Sequence, residues 1–247
     1  MNAKDSLQRS LAEARALVAR HPGDVRVSRT FSYFTRHPVA PLNQKRLKAL
    51  LDRLACAHER LGRPPCVLDL ACGGGLIANT LALVPCQILG LDLDPAEIAL
   101  AREFAQNLRT DARFDTANLL DDPTWEKTAE TALGGPPDFV VLAYALHHLP
   151  RVEEFVARLS RWLPPGTVLL INEENPKSPL FQLKHWARGW LQNDTDTEWH
   201  RNPSDWKELL SQHGFACSSR TGHDLIPGLG RLVPTLSWSV LFEATRI

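Results

Sequence analysis

A strand, a glycine-rich turn and the start of a helix follow one another in VLDLACGGGLIANTLA, residues 67–82. Three consecutive glycines, Gly73 to Gly75, permit a tight turn at which a ligand can approach the backbone and the N-terminus of a helix. Asp92 ends the next apolar run, where a carboxylate can accept both hydroxyl hydrogens of a ribose. This arrangement predicts a site for a nucleotide-like ligand; the alternative is a tight turn that binds nothing.

Asp69 separates two classes of nucleotide-like ligand. The spacing of Gly73, Gly75, Ala78 and Asp92 also satisfies the pattern of a nicotinamide dinucleotide site. Asp69, however, lies inside the first strand, where a dinucleotide-binding fold normally has only apolar residues. A buried carboxylate needs partners, and the amides of the glycine turn or a ligand ammonium group would supply them. Asp69 therefore counts against a nicotinamide dinucleotide site.

Histidines and glutamates follow two further apolar runs. His147 and His148 come after the fourth run, and Glu173 and Glu174 end the fifth. Neutral imidazole is a suitable base at pH 7, so His147, His148 and Glu173 are candidate catalytic residues. The alternative is that the two histidines only belong to the cap of a helical turn. No H-x-x-x-H or H-E-x-x-H run accompanies them, so no metal site is predicted.

Seven short apolar runs alternate with helical patterns after Pro65, which is typical of a sheet wound with helices on both faces. The predicted strands cover residues 66–71, 87–93, 112–116, 138–144, 167–173, 215–220 and 236–244. The predicted helices between them cover about 75–83, 95–107, 122–132, 152–162 and 203–213. We therefore predict an α/β fold with a doubly wound, seven-stranded, mostly parallel sheet, whose last two strands form an antiparallel hairpin at the edge.

The start of one helix is well marked. Asp94-Pro95-Ala96-Glu97 supplies a cap, a proline at the first helical position and a carboxylate three residues after the cap.

Residues 1–63 are predicted to form an N-terminal helical cap, and residues 64–247 the ligand-binding domain. One helix ends at His21-Pro22-Gly23, and another covers about 42–61. The segment between them, SRTFSYFTRHPVAP, is aromatic and basic, and we predict a loop or short helix that lies on another element.

The composition excludes several classes of function. The chain has 247 residues with 28 basic and 28 acidic side chains, and this balance argues against a surface built to coat nucleic acid or an anionic membrane. No apolar run approaches the roughly 18 residues of a membrane span. The N-terminus lacks the apolar segment of a secretory signal. Five cysteines without a CxxC pair predict reduced thiols and a cytoplasmic location.

The order of these motifs resembles that of the class I S-adenosylmethionine-dependent methyltransferases of small molecules. Residues 69–75, DLACGGG, are similar to the family's first motif, with Ala71 at the first glycine position. That departure is mild, because alanine tolerates most backbone conformations short of positive φ. Residues 89–102, 137–150 and 163–176 resemble the second motif, the fourth strand with its trailing turn, and the turn into the fifth strand. The resemblance covers most of the chain after Pro65 and implies a Rossmann-like methyltransferase fold.

The resemblance implies S-adenosylmethionine as the methyl donor and S-adenosylhomocysteine (SAH) as its product. It implies donor contacts on the first, second and fourth strands and the turns after them, at Asp69, Ala71, Gly73, Gly75, Asp92, Leu93 and Tyr144. Members of the family place an acidic residue near the third strand to hold the adenine amino group, and Asp115 and Asn118 are both open for that role. Tyr33 and Arg36 are predicted to close over the donor carboxylate.

The implied reaction transfers the sulfonium methyl group to an O, N, S or C nucleophile of a small-molecule acceptor. An acceptor that must lose a proton also needs a base, for which His185 and His200 are further candidates. The alternatives are a nicotinamide-dependent oxidoreductase and a methyltransferase-like binding subunit without activity. A nucleic-acid acceptor is disfavoured, because residues 144–148 read YALHH where amino-methylating DNA enzymes have Asp/Asn-Pro-Pro-Tyr.

An insertion after the fifth strand covers about residues 176–201 and is rich in tryptophan. Together with residues 31–36 it is predicted to roof the acceptor pocket, since tryptophan supplies large rigid contact area and one hydrogen-bond donor. The alternative is an ordinary packed helix.

Overall fold

The computed structural model describes residues 2–37, 40–179, 181–183, 201–220 and 239–247. The chain divides into two compact units, Met1–Val141 and Leu142–Ile247. Within the described residues, no helix is long and apolar enough to cross a membrane.

The seven predicted strands form one sheet in the order β3-β2-β1-β4-β5-β7-β6. Their bounds are β1 (Cys66–Leu70), β2 (Gln87–Asp92), β3 (Arg113–Thr116), β4 (Phe139–Ala143), β5 (Val168–Glu174), β6 (Phe215–Arg220) and β7 (Ser239–Arg246). β1 pairs in parallel with β2 and β4, and β2 with β3. β7 runs antiparallel to both β5 and β6. The predicted fold class is confirmed; β6 is the edge strand, and β7 lies between it and β5.

Three helices form the N-terminal segment: α1 (Ala3–Arg20), α2 (Val25–Thr35) and α3 (Ala40–Leu61). Asp24 caps α2 by accepting hydrogen bonds from the amides of Arg26 and Val27, at 2.8 and 3.1 Å. Because of this cap, α2 begins before the segment expected to be a loop or short helix, and it runs for 11 residues.

The remaining helices connect the strands and lie close to their predicted positions. They are α4 (Leu76–Leu81), α5 (Pro95–Leu108), α6 (Trp125–Leu133), α7 (Val152–Trp162) and α8 (Pro203–Gln212), with a 3-10 turn at Leu146–His148. α2 packs on α5 through Phe31 and Phe104, both fully buried, whose rings meet edge to face at 4.9 Å.

The register of the first three strands brings their carboxyl ends to one edge. Leu70 pairs with Leu91, and Asp92 pairs with Thr116. The turns that follow β1, β2 and β3 are therefore neighbours, as expected for a ligand site at the carboxyl ends of parallel strands.

Candidate functional site

The turn after β1 is held in a left-handed backbone conformation at three positions. Ala71, Gly73 and Gly75 have φ values of 56°, 51° and 71°. The expectation that alanine is a mild replacement at the first glycine position is therefore wrong, because Ala71 adopts the positive φ that disfavours a side chain. Such a conformation costs a residue with a Cβ atom about 1–2 kcal/mol.

Gly75 is required by close packing as well as by its φ. A Cβ atom at Gly75 would lie 2.6 Å from Ala101 Cβ in α5 and 2.9 Å from Phe114 Cε1 in β3. At Gly73 the closest atom to an added Cβ is Glu97 Oε2, at 3.9 Å. Gly75 therefore packs closely against α5 and β3, whereas Gly73 has more open space around it.

Asp92 joins the end of β2 to this turn. Its Oδ2 accepts a hydrogen bond from the Gly73 amide at 2.7 Å, and its Oδ1 accepts one from the Asp94 amide at 3.0 Å. A carboxylate offers about four acceptor positions, so two ribose hydroxyls can still be accepted. Leu93, which follows, is 64% exposed and offers an apolar surface beside the carboxylate.

Asp69 in β1 is 2% exposed, and its Oδ2 atom has no hydrogen-bond partner among the described residues. Burial raises the pKa of this carboxyl to about 8; the charge of Asp92 adds to the shift, and a hydrogen bond from the backbone of Ala78 opposes it. A buried carboxyl oxygen without a partner is costly unless the group is neutral or a cation approaches it. Asp69 therefore fits a donor that carries an ammonium group.

Asp115 and Asn118 lie in different places. Asp115 is within β3, opposite Leu91, with its side chain exposed and 3.9 Å from Arg102. Asn118 follows the strand, directly after Ala117, whose amide donates to the Asp92 carbonyl at 2.8 Å. Its Oδ1 accepts from the amides of Leu120 and Asp121 and so shapes the turn. Asn118 is thus at the same edge as Asp92.

Sequence reasoning missed the surroundings of Glu97. Glu97 lies in the first turn of α5, as the sequence predicts, but its carboxylate contacts α2, and the Asp94 amide donates to Asp92. Thr30 Oγ1 donates to its Oε2 at 3.2 Å, and Arg29 donates to its Oε1 at 3.3 Å. The adjacent polar residues Arg29 and Thr30, within an aromatic segment, were the available signal.

In the second unit, Glu173 is only 1% exposed. Its Oε1 accepts from the amides of Ala145 and Leu146, at 3.2 and 2.8 Å. Its Oε2 lies 2.6 Å from Nδ1 of His147, which is also buried. Glu173 therefore holds the 3-10 turn and the orientation of the His147 ring.

His148 and Tyr144 flank this pair. His148 is exposed, and its ring centroid lies 4.1 Å from that of His147. Tyr144 has a φ of 57°, and its amide donates to the Asn172 carbonyl at 2.7 Å. The positive φ places a sharp turn immediately after β4.

The predicted roof is only partly described. Within residues 31–36, Phe31 is core, Tyr33 stacks on His37 with ring centroids 4.7 Å apart, and Arg36 is exposed. Trp206 is buried in α8. The other candidates in and near the insertion lie outside the described residues: His185, Trp186, Trp190, Trp199 and His200. A roofing role for the insertion stays a prediction.

Across the ranges that the structure describes, no group of three or more His, Cys, Asp or Glu side chains could hold a metal ion.

Comparison with known proteins identifies the relatives of this chain. A family model described as a methyltransferase domain matches residues 41–219. A ubiquinone biosynthesis O-methyltransferase from Maricaulis maris (strain MCS10) is 27% identical over 198 residues, which cover 75% of this chain and 74% of the relative. Another protein of that name, from Roseobacter denitrificans, is 28% identical over 217 residues, 82% of this chain and 79% of the relative.

Among solved structures, the fold is similar to that of magnesium protoporphyrin IX methyltransferase from Synechocystis PCC 6803 with bound SAH. The TM-score is 0.62 at 20% identity, and the match covers 93% of this chain and 97% of that chain.

Proposed function

Because this chain belongs to the methyltransferase domain family, we propose that it transfers the methyl group of S-adenosylmethionine to an oxygen atom of a small-molecule acceptor. It is an S-adenosylmethionine-dependent methyltransferase. The acceptor and the atom methylated are the proposed part.

The first unit supplies the groups that suit the donor. Asp92 has acceptor positions left for the ribose hydroxyls, and Asp69 offers a buried carboxyl oxygen to an ammonium group. Leu93 offers an apolar contact next to Asp92. When bound, S-adenosylmethionine supplies a methyl group already activated by the sulfonium charge, so the protein mainly has to align the reactants and exclude water.

The buried pair of His147 and Glu173 is the observation that favours oxygen. A hydroxyl acceptor must lose its proton to become a methyl ether, and histidine is a suitable base near pH 7. When His147 Nδ1–H donates to Glu173, the lone pair is on Nε2. The names of the two ubiquinone biosynthesis relatives also specify O-methylation.

The proposed reaction is one displacement. The acceptor oxygen forms a bond to the methyl carbon while the bond from that carbon to sulfur breaks. The hydroxyl proton passes to His147 Nε2, and Glu173 stabilises the resulting imidazolium ion. The products are a methyl ether and SAH, and the proton is later released to water.

The test incubates the purified chain and a donor with a deuterated methyl group with panels of phenols, thiols and amines. Mass spectrometry would detect the labelled product, and NMR would locate the methyl group. We expect methylation on oxygen. His147→Asn should lower kcat by about 10²–10⁴ and remove the pH dependence that a general base confers on the rate, while SAH affinity is unchanged.

His148→Asn is the matched control, because His148 is the exposed neighbour of His147. It should keep most of the activity. Methylation of thiols or amines alone would contradict the proposal of an oxygen acceptor. Full activity of His147→Asn on phenols would contradict the role of His147 as the base.

A further inference from the structure

The buried carboxylate of Glu97 connects α5 to α2. Glu97 is 4% exposed, although it lies in the first turn of α5. Burial raises the pKa of this carboxyl, while the hydrogen bond from Thr30 and the charge of Arg29 oppose the shift. Arg26 Nε lies 3.7 Å from Glu97 Oε1. Arg26, Arg29 and Thr30, the partners of Glu97 within the described residues, belong to α2.

Among these partners of Glu97, we expect Thr30 to contribute most to the position of α2 relative to α5. Arg29 and Arg26 are 72% and 45% exposed in their side chains, and exposed ion pairs contribute little to stability. The Thr30 hydroxyl donates to Glu97 Oε2 in a part-buried setting.

The side chain of Thr30 also lies against the glycine turn after β1. A Cβ atom at Gly74 would lie 2.8 Å from Thr30 Cγ2 and 3.2 Å from Glu97 Oε2, so the turn leaves no room there for a side chain. The methyl group of Thr30 thus lies against the middle of the turn, while its hydroxyl is bonded to Glu97. One residue of α2 joins α5 to the turn.

We propose that Thr30 and Glu97 are positioning residues for the methyl donor: their hydrogen bond holds α2 against the turn at Gly73–Gly75 and thereby sets donor affinity. This inference rests on the proposed function. The Gly73 amide donates a hydrogen bond to the Asp92 carboxylate. A displaced turn therefore also displaces the carboxylate that would bind the ribose. Apparent affinity falls in proportion to the fraction of molecules in which a binding site is correctly formed.

α2 has a second anchor that does not depend on this hydrogen bond. Val27 and Phe31 are buried in a cluster with Leu17, Leu76 and Phe104. Loss of the Thr30 hydroxyl is therefore expected to loosen the contact with the turn without unfolding the helix.

Thr30→Val tests the hydrogen bond, because valine keeps the shape of threonine and loses its hydroxyl. We expect the Kd for SAH, measured by calorimetry, and the KM for S-adenosylmethionine to rise about tenfold. The kcat at saturating donor and the acceptor KM should stay within twofold. Hydrogen exchange in residues 25–35 should become faster in the protein without SAH.

Two controls separate this role from general stability. Thr30→Ser keeps the hydroxyl and should restore SAH affinity to within twofold of the wild type. Thr35→Val removes a hydroxyl from the same helix that donates only to the Phe31 carbonyl, and it should leave SAH affinity unchanged.

Glu97→Ala should weaken SAH binding to a similar degree, and the double variant with Thr30→Val should be little weaker than either single variant, because both remove the same contact. Additive effects of the two changes would overturn the proposal, as would wild-type SAH affinity in Thr30→Val. A wild-type chain that binds no SAH would instead overturn the proposed function itself, and this inference with it.

Discussion

Asp92, the last residue of β2, accepts a hydrogen bond from the backbone amide of Gly73 in the turn after β1, at 2.7 Å. The carboxylate expected to bind a ribose therefore also fixes the turn on which the donor would lie. Because one side chain serves both purposes, replacing it should affect donor binding twice: through lost ligand contacts and through a loosened turn.

Asp92→Ala should weaken SAH binding at least tenfold, since hydrogen bonds to a charged group contribute about 1.5–3 kcal/mol. Calorimetry with SAH measures this directly. Asp111→Ala is a suitable control, because Asp111 is an exposed acidic residue just before β3. A protein that binds NADH tightly and does not bind SAH would refute the assignment of the donor.

Asn118→Ala should weaken SAH binding about three- to tenfold, roughly the value of one hydrogen bond. Asp115→Ala should leave it within twofold, because Asp115 is exposed within β3 and its contact with Arg102 is a weak surface ion pair. An SAH analogue with oxygen in place of the adenine amino group provides the control: if Asn118 contacts that amino group, its replacement should cost little further affinity for the analogue. The opposite order of the two variants would assign the contact to Asp115.

Ala71→Gly should stabilise the fold by up to about 1.5 kcal/mol. Glycine relieves the cost of the positive φ at this position, about 1–2 kcal/mol, but it also increases the entropy of the unfolded chain by about 0.4–1 kcal/mol. Urea unfolding would measure the difference. The matched variant Ala99→Gly, on the exposed face of α5, should instead destabilise by about 1 kcal/mol. Equal destabilisation by both changes would show that Ala71 is not strained.

Asp69 should make stability fall as the pH rises from about 4 towards 8. With a folded pKa of about 8 and an unfolded pKa near 3.9, the folded chain binds more protons than the unfolded chain between these values. The contribution of Asp69 is therefore complete below about pH 4 and is lost as the pH rises towards 8. Asp69→Asn lacks this titration.

The free energies of unfolding of the wild type and of Asp69→Asn, measured in urea at pH 6 and pH 8.5, would test this. From pH 6 to pH 8.5, the free energy of unfolding of the variant should rise by roughly 2–3 kcal/mol relative to that of the wild type. A difference that does not depend on pH would mean that Asp69 is ionised throughout.

The sequence by itself determined the elements that depend on neighbouring residues. The strands of the parallel sheet, the glycine turn after β1, and Asp92 at the end of β2 were all predicted, and the fold class was confirmed. Local patterns suffice for these features, because hydrophobic periodicity and backbone freedom are properties of short segments. The antiparallel pair at the edge was also predicted, but the sequence did not predict that β7 lies next to β5 and that β6 is the edge strand.

The tertiary structure decided which distant side chains meet. Glu97 belongs to the start of α5 in sequence, yet it contacts Thr30, which lies in another helix. Glu173 was predicted only as a candidate catalytic residue after the fifth strand, and it is buried against His147. Ala71 was judged by its residue type, but the turn requires a positive φ. In each case the outcome depends on burial and on contacts between segments far apart in the chain. Short sequence patterns do not determine either of these.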